Sequence, residues 1–134
     1  MQLLSLVTLL VDDYDRAIAH YCGALGFALR EDTDLGRGKR WVRVALPGDG
    51  TTDLLLAVAT TDAQRARIGD QTGGRVGFFL HTDDFRRDHA AMLARGVRFV
   101  EAPRDKNYGI VAVFEDKYGN RWDLLESACL VEAP

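Results

Sequence analysis

The sequence is poor in the residues that carry most recognisable chemistry. Of its 134 residues only two are cysteine, three histidine and three proline. Cys22 and Cys129 show neither a disulfide framework nor metal-type spacing, which predicts a reducing, cytoplasmic setting with inert thiols. No basic surplus exists: 17 Lys and Arg stand against 20 Asp and Glu, a net charge of −3. Arg37-Gly38-Lys39-Arg40 and Arg86-Arg87 are the local basic bunches, and carboxylates surround both. Nucleic acid is therefore not an expected partner, because phosphate binding needs clustered cations. Long apolar runs are missing too. The opening MQLLSLVTLLV stops at Asp12-Asp13 and has no basic flank or small-residue cleavage site, so a buried strand is expected and no membrane partner. Gly36-x-Gly38 and Gly48-Asp49-Gly50 lack the strand-to-helix context of nucleotide loops and read as turns. No Ser-His-Asp or Cys-His spacing suggests a nucleophile.

What is present is patterning. A hydrophobic content of 47% with 28% charged residues suits a globular chain of one domain, or of two half-units sharing a core. Leu3–Val11 is a continuous β-branched and aliphatic run. Asp12 or Asp13 then caps a helix carrying Tyr14, Ala17, Ile18, Tyr21 and Leu25 at three- and four-residue spacing, and Gly26 ends it. Strands follow over Phe27–Thr33, Lys39–Leu46 and Asp53–Ala59.

The polar, glycine-bearing stretch 61–74 reads as a linker, after which the pattern restarts. Arg75–Thr82 is strand-like, and Asp83 or Asp84 caps a helix with the stripe Phe85, His89, Met92 and Leu93. Gly96 closes it, and Val97–Val100, Gly109–Phe114 and Arg121–Glu126 are three further strands. Asp12 and Asp83 lie 71 residues apart, as do Asp13 and Asp84, while Gly26 and Gly96 are 70 apart. The chain is thus an α+β protein of two tandem βαβββ modules, 1–60 and 75–127. Neither module can bury its sheet alone.

The phrases Val11-Asp12-Asp13, Ala17-Ile18-Ala19-His20-Tyr21, Leu25-Gly26-Phe27, Ala94-Arg95-Gly96-Val97 and Tyr108-Gly109 add detail to that pattern. With Phe114-Glu115-Asp116-Lys117-Tyr118-Gly119-Asn120-Arg121-Trp122-Asp123-Leu124 they resemble the vicinal oxygen chelate superfamily of glyoxalase I, bleomycin-resistance proteins and extradiol dioxygenases. The resemblance runs to about Ser127, with Lys117 where proline is common. It implies a curved mixed-sheet cup, a homodimer, and in active members one divalent ion held by the first and last strands of paired modules. Counting seven residues back from Asp13 and Asp84 puts the first-strand ligand positions at Leu6 and Gly77, and the last-strand positions fall at Leu55 and Asp123. Only Asp123 carries a donor. The neighbours Ser5, Val7, Leu54, Leu56, Val76 and Phe78 supply no usual ligand either, so no cofactor is expected.

His20 and His89 sit within helices and read as packing residues. Strand alternation puts Gly77, Phe79 and His81 on one face and gives Asp123 a face shared with Arg121 and Leu125. In Lys39–Val44, Val42 and Val44 suit the helix-packed side, leaving Trp41 and Arg43 for the cavity. Tyr108 and Trp122 occupy equivalent strands of module two, Trp122 with the opposite parity to Asp123. The expected ligand-binding set is Trp41, Arg43, Phe79, His81, Tyr108 and Asp123. The expected function is metal-independent binding of an aromatic or apolar small molecule. The alternative is a divalent-metal-dependent lyase, isomerase or dioxygenase with a non-standard ligand set.

Overall fold

The structure, a computed structural model, describes residues 1–48, 52–107 and 109–127. The chain divides into two compact units, Met1–Gln71 and Thr72–Pro134.

In the first unit the strands β1 (Leu6–Val11), β2 (Ala28–Gly36), β3 (Lys39–Ala45) and β4 (Asp53–Val58) form a sheet in the order β1-β4-β3-β2. β1 runs parallel to β4 and the other pairs are antiparallel. Leu9 and Val42 both register with Leu56, and Val44 with Leu54, so alternation gathers these side chains on one face, where all five are buried. The helix α1 (Tyr14–Ile18) packs on β3 and β4 over that face. Of the two candidate caps Asp13 is the one used: its carboxylate accepts from Arg16 N at 2.8 Å.

The expected helix to Gly26 is not α-helical throughout. A π-helical segment, Ala19–Ala24, takes over. Ala17, Tyr21 and Leu25 are four residues apart, a spacing that over-rotates by roughly 40° per step at 3.6 residues per turn. The wider π-turns offset that drift and keep all three buried on the sheet. Gly26, at φ 79°, then turns the chain into β2.

Two other expectations are corrected here. β1 begins at Leu6 rather than Leu3, and Leu3 and Leu4 are exposed. The expected linker contains a short helix, α2 (Asp62–Ala66), whose Thr61 cap accepts from Gln64 N at 3.1 Å. Beyond it Gln71 returns to β1, the sheet's edge strand. Its amide accepts from Leu10 N at 2.9 Å and donates to Thr8 O at 2.7 Å, satisfying edge groups as a neighbouring strand would.

In the second unit β5 (Val76–His81), β6 (Arg98–Phe99), β8 (Gly109–Glu115) and β9 (Arg121–Ser127) form the order β5-β9-β8-β6. A strand not anticipated from the sequence, β7 (Arg104–Lys106), also pairs with β8. The helix α3 (Phe85–Ala94), capped by Asp84, packs on β9 and buries Phe85 and Met92. Leu93, expected in the buried stripe, is 49% exposed. Eight residues after Phe85, it lies roughly 80° around the helix from it, whereas Met92 lies within about 20°. His89 packs as expected, 5.2 Å from the Phe85 ring and 4.4 Å from Phe99.

Asp116 shows why the Phe114–Leu124 phrase makes a turn. Its Oδ1 accepts from the backbone N–H groups of Tyr118, Gly119 and Asn120, and its Oδ2 from Asn120 Nδ2 and Trp122 Nε1, all at 3.0–3.1 Å. Trp122 is thereby anchored in the core, stacked 4.4 Å from Phe78.

Candidate functional site

The helix-free face of the first unit's sheet is set by alternation. Leu6, Thr8 and Leu10 register there with Asp53, Leu55 and Ala57, and Arg43 with Leu55. Across β2, Thr33 pairs with Trp41 and Glu31 with Arg43. Trp41 and Arg43 therefore lie opposite the buried Val42 and Val44, on the side expected for them.

Arg43 is not a free cation. Its Nε donates to Glu31 Oε1 at 3.0 Å, its Nη1 pairs with Asp53, and Thr33 Oγ1 donates to the other oxygen of Glu31 at 2.9 Å. Hydrogen bonding to Glu31, then the charge of Asp53, raises the guanidinium pKa, while the bond from Arg43 lowers that of Glu31. Trp41 thus stands beside a cation shared by two carboxylates.

A cavity of about 720 Å³ opens on this unit. Thr8, Leu10, Trp41 and Leu55 to Val58 line it from the sheet, Leu35 to Arg40 from the β2–β3 hairpin, and Tyr14 and Gln64 from α1 and α2. Arg40 ties that hairpin to α1. It forms a forked pair with Asp32 at 3.1 and 2.7 Å and reaches Asp15 at 3.0 Å, and its guanidinium lies 5.1 Å from the Tyr14 ring centre.

In the second unit Phe79 registers with Asp123 and His81 with Leu125, so these share a face as expected. Phe79 is 59% exposed and His81 is exposed. Asp123 is half-buried; its Oδ1 is closed to solvent and accepts no hydrogen bond. Burial raises its pKa, with Arg104 opposing and Glu101 adding to the shift. Those two are engaged with each other, Arg104 Nε to Glu101 Oε1 at 2.9 Å. Tyr108 lies outside the described residues, as does Cys129. Trp122 is a core residue, as its parity required.

The divalent ion implied by the resemblance does not fit the residues present. Leu6 and Leu55 offer no donor. At Gly77, where a bulge interrupts the β5–β9 register, a Cβ would lie 2.6 Å from the Thr72 methyl, so a ligand side chain there would have to displace Thr72. Among the described residues no group of three or more His, Cys, Asp or Glu is placed to hold a metal.

Arg37 and Lys39 at the hairpin, and Glu31 and Asp53 around Arg43, were not anticipated as site residues. The β3 alternation that singled out Trp41 and Arg43 also includes Lys39 and was the available signal. The glycines around Arg37 pointed only to a turn.

The chain as a whole has counterparts among known proteins. The sequence profile of the Glyoxalase/Bleomycin resistance protein/Dioxygenase superfamily matches residues 3–124, and the chain belongs to that superfamily. An uncharacterized protein of Shewanella frigidimarina is 51% identical over 121 residues, 90% of each chain. Among solved structures, UcmS2 aligns with a TM-score of 0.81 at 29% identity, covering 93% of this chain and 98% of its own. TnmS3, an antibiotic binding protein from Streptomyces sp. CB03234, aligns at 0.75 and 29% identity, covering 96% and 98%.

Proposed function

We propose that the protein binds an aromatic or apolar small molecule without a metal ion, in the cavity of its first unit beside Trp41. The observation carrying this reading is the roughly 720 Å³ cavity bordered by Trp41, Leu10 and Leu55, a size and lining suited to a small organic ligand. The donor-poor positions Leu6, Leu55 and Gly77 support the metal-free part of the reading, and the likeness to TnmS3 supports the small-molecule part. Binding uses Trp41 as an aromatic wall, while Glu31 and Asp53 hold Arg43 beside it. A homodimer and a cytoplasmic location belong to the same reading. Exposed Leu3, Leu4, Leu29 and Phe79 support the first, and two cysteines without disulfide-type spacing the second.

The test is a panel of aromatic compounds assayed by thermal shift and by tryptophan fluorescence. Trp122 is closed to solvent, so quenching by a bound compound should come from Trp41. Trp41→Ala is expected to remove the quenching and weaken binding at least tenfold, while retaining the fold. Failure of every compound to bind, or quenching that survives Trp41→Ala, overturns the reading. Stoichiometric divalent metal in protein purified without chelator would instead favour a lyase, isomerase or dioxygenase built around Asp123.

A further inference from the structure

The charged side chains that line the first unit's cavity are opposite in sign to the whole chain. The molecule carries a net −3, yet among the described residues lining the cavity every charged side chain is basic: Arg37, Lys39 and Arg40. Arg40 is shared by two carboxylates, Asp32 and Asp15, a group of net charge −1. The side chains of Arg37 and Lys39 have no hydrogen-bonded or ion-paired partner among the described residues. The nearby Asp34 pairs with Arg40 in register, on the helix side of the sheet, and its Oδ1 is taken by Gly36 N at 2.8 Å.

Geometry gives the two free cations a direction. Lys39, Trp41 and Arg43 share one face of β3, successive side chains on a face being about 7 Å apart along a strand. Trp41 is thus flanked by a cation held between two carboxylates towards the sheet centre and by a free ammonium towards the hairpin tip. Arg37 stands at that tip. With Gly36 paired to Lys39, Arg37 and Gly38 form a two-residue turn at φ 56° and 78°. A first position with φ above zero favours Asn, Asp or Gly. Arginine is a poor choice for such a turn, and a residue that works against its local conformation points to a role for its side chain.

We propose that this cavity selects ligands carrying an anionic group beside an aromatic ring, the ring lying against Trp41 and the anion between Lys39 and Arg37. This rests on the reading of the cavity as a small-molecule site and narrows the class of molecule it takes. The forked guanidinium of Arg37 and the point charge of Lys39 both suit a carboxylate, sulfonate or phosphate. The carboxylates of this unit described above do not line the cavity. Arg40 with Asp32 and Asp15, and Arg43 with Glu31 and Asp53, nevertheless each keep a net −1, so selection rests on direct contact of the anion with Arg37 and Lys39.

Two dyes with one aromatic framework test it on the full chain. 8-Anilinonaphthalene-1-sulfonate carries the anion and N-phenyl-1-naphthylamine lacks it. The wild type is expected to bind the sulfonate several-fold more tightly, with the preference shrinking at high salt. The double variant Arg37→Gly/Lys39→Gln keeps a turn that glycine adopts freely. It should weaken the sulfonate about fivefold or more, as expected for two exposed charge contacts, and change the neutral dye less than twofold. Arg75→Gln/Arg86→Gln removes the same charge outside the cavity lining and should alter neither dye. Unchanged melting temperatures in both variants establish that the fold is retained. If the wild type binds both dyes equally, or if the two double variants weaken the sulfonate alike, anion selection is overturned and the small-molecule reading stands. If neither dye binds the wild type, anion selection is overturned, and the small-molecule reading falls with it only when the whole aromatic panel fails as well.

Discussion

Asp123 combines features that a side chain at a sheet surface seldom holds together. Its register opposite Phe79 places it on the face reached by strand alternation, but one carboxylate oxygen is closed to solvent and accepts no hydrogen bond. Burial makes the folded chain hold the Asp123 proton more tightly than the unfolded chain does. The group therefore favours folding in acid, below the ordinary carboxylate range, and that contribution is lost as pH rises through its raised folded-state value. Asp123→Asn is expected to stabilise the protein at neutral pH by on the order of 1 kcal/mol, the scale of one desolvated oxygen relieved of its charge. The difference from wild type should vanish under acid conditions. Urea titrations of both proteins across pH check this; a variant less stable at neutral pH would show that Asp123 has a stabilising partner. Parity along β9 placed Asp123 on the right face from sequence. Its lack of a hydrogen-bond partner was not legible, because Glu101 and Arg104, which engage each other, come from a segment far away in the chain.

At the scale of elements, the sequence located nearly every strand and helix but misjudged how some are wound or bounded. The cap at Asp13 and the closing glycine at Gly26 bracketed the first helix correctly, while Ala19–Ala24 became π-helical. The stretch 61–74 looked like loop because its glycines outweighed the Thr61-Asp62 start signal that opens α2. Gly23 follows from the same helix. It is exposed, its φ is not positive, and a Cβ built on it meets nothing within 4 Å. Gly23→Ala should therefore raise stability by about 0.5–1 kcal/mol, through the conformational freedom that glycine gives the unfolded chain. Chemical denaturation measures it. A loss of stability would mean that the π-helical segment depends on glycine's freedom at this position.

For the whole molecule, belonging to the superfamily follows from a profile match over residues 3–124 and from structural relatives aligned over more than nine-tenths of the chain. Among the described residues no helix is long and apolar enough to cross a membrane. The proposed homodimer predicts a light-scattering mass of two chains at micromolar concentration; a monomer mass would remove it. The repeat of Asp12-Asp13 at Asp83-Asp84 and the strand periods marked two units that each open on a strand and a helix, and which side chains leave the core, because both depend on local geometry of fixed period. The strand β7 in the second unit was missed. The same counting showed that Leu6, Leu55 and Gly77 hold no metal-binding side chain. Which charges remain free was decided only by tertiary structure. Arg43 and Arg40 looked as available as Lys39 and Arg37 until Glu31, Asp53, Asp32 and Asp15 were brought against them, and charge neutralisation depends on distance in space rather than order along the chain.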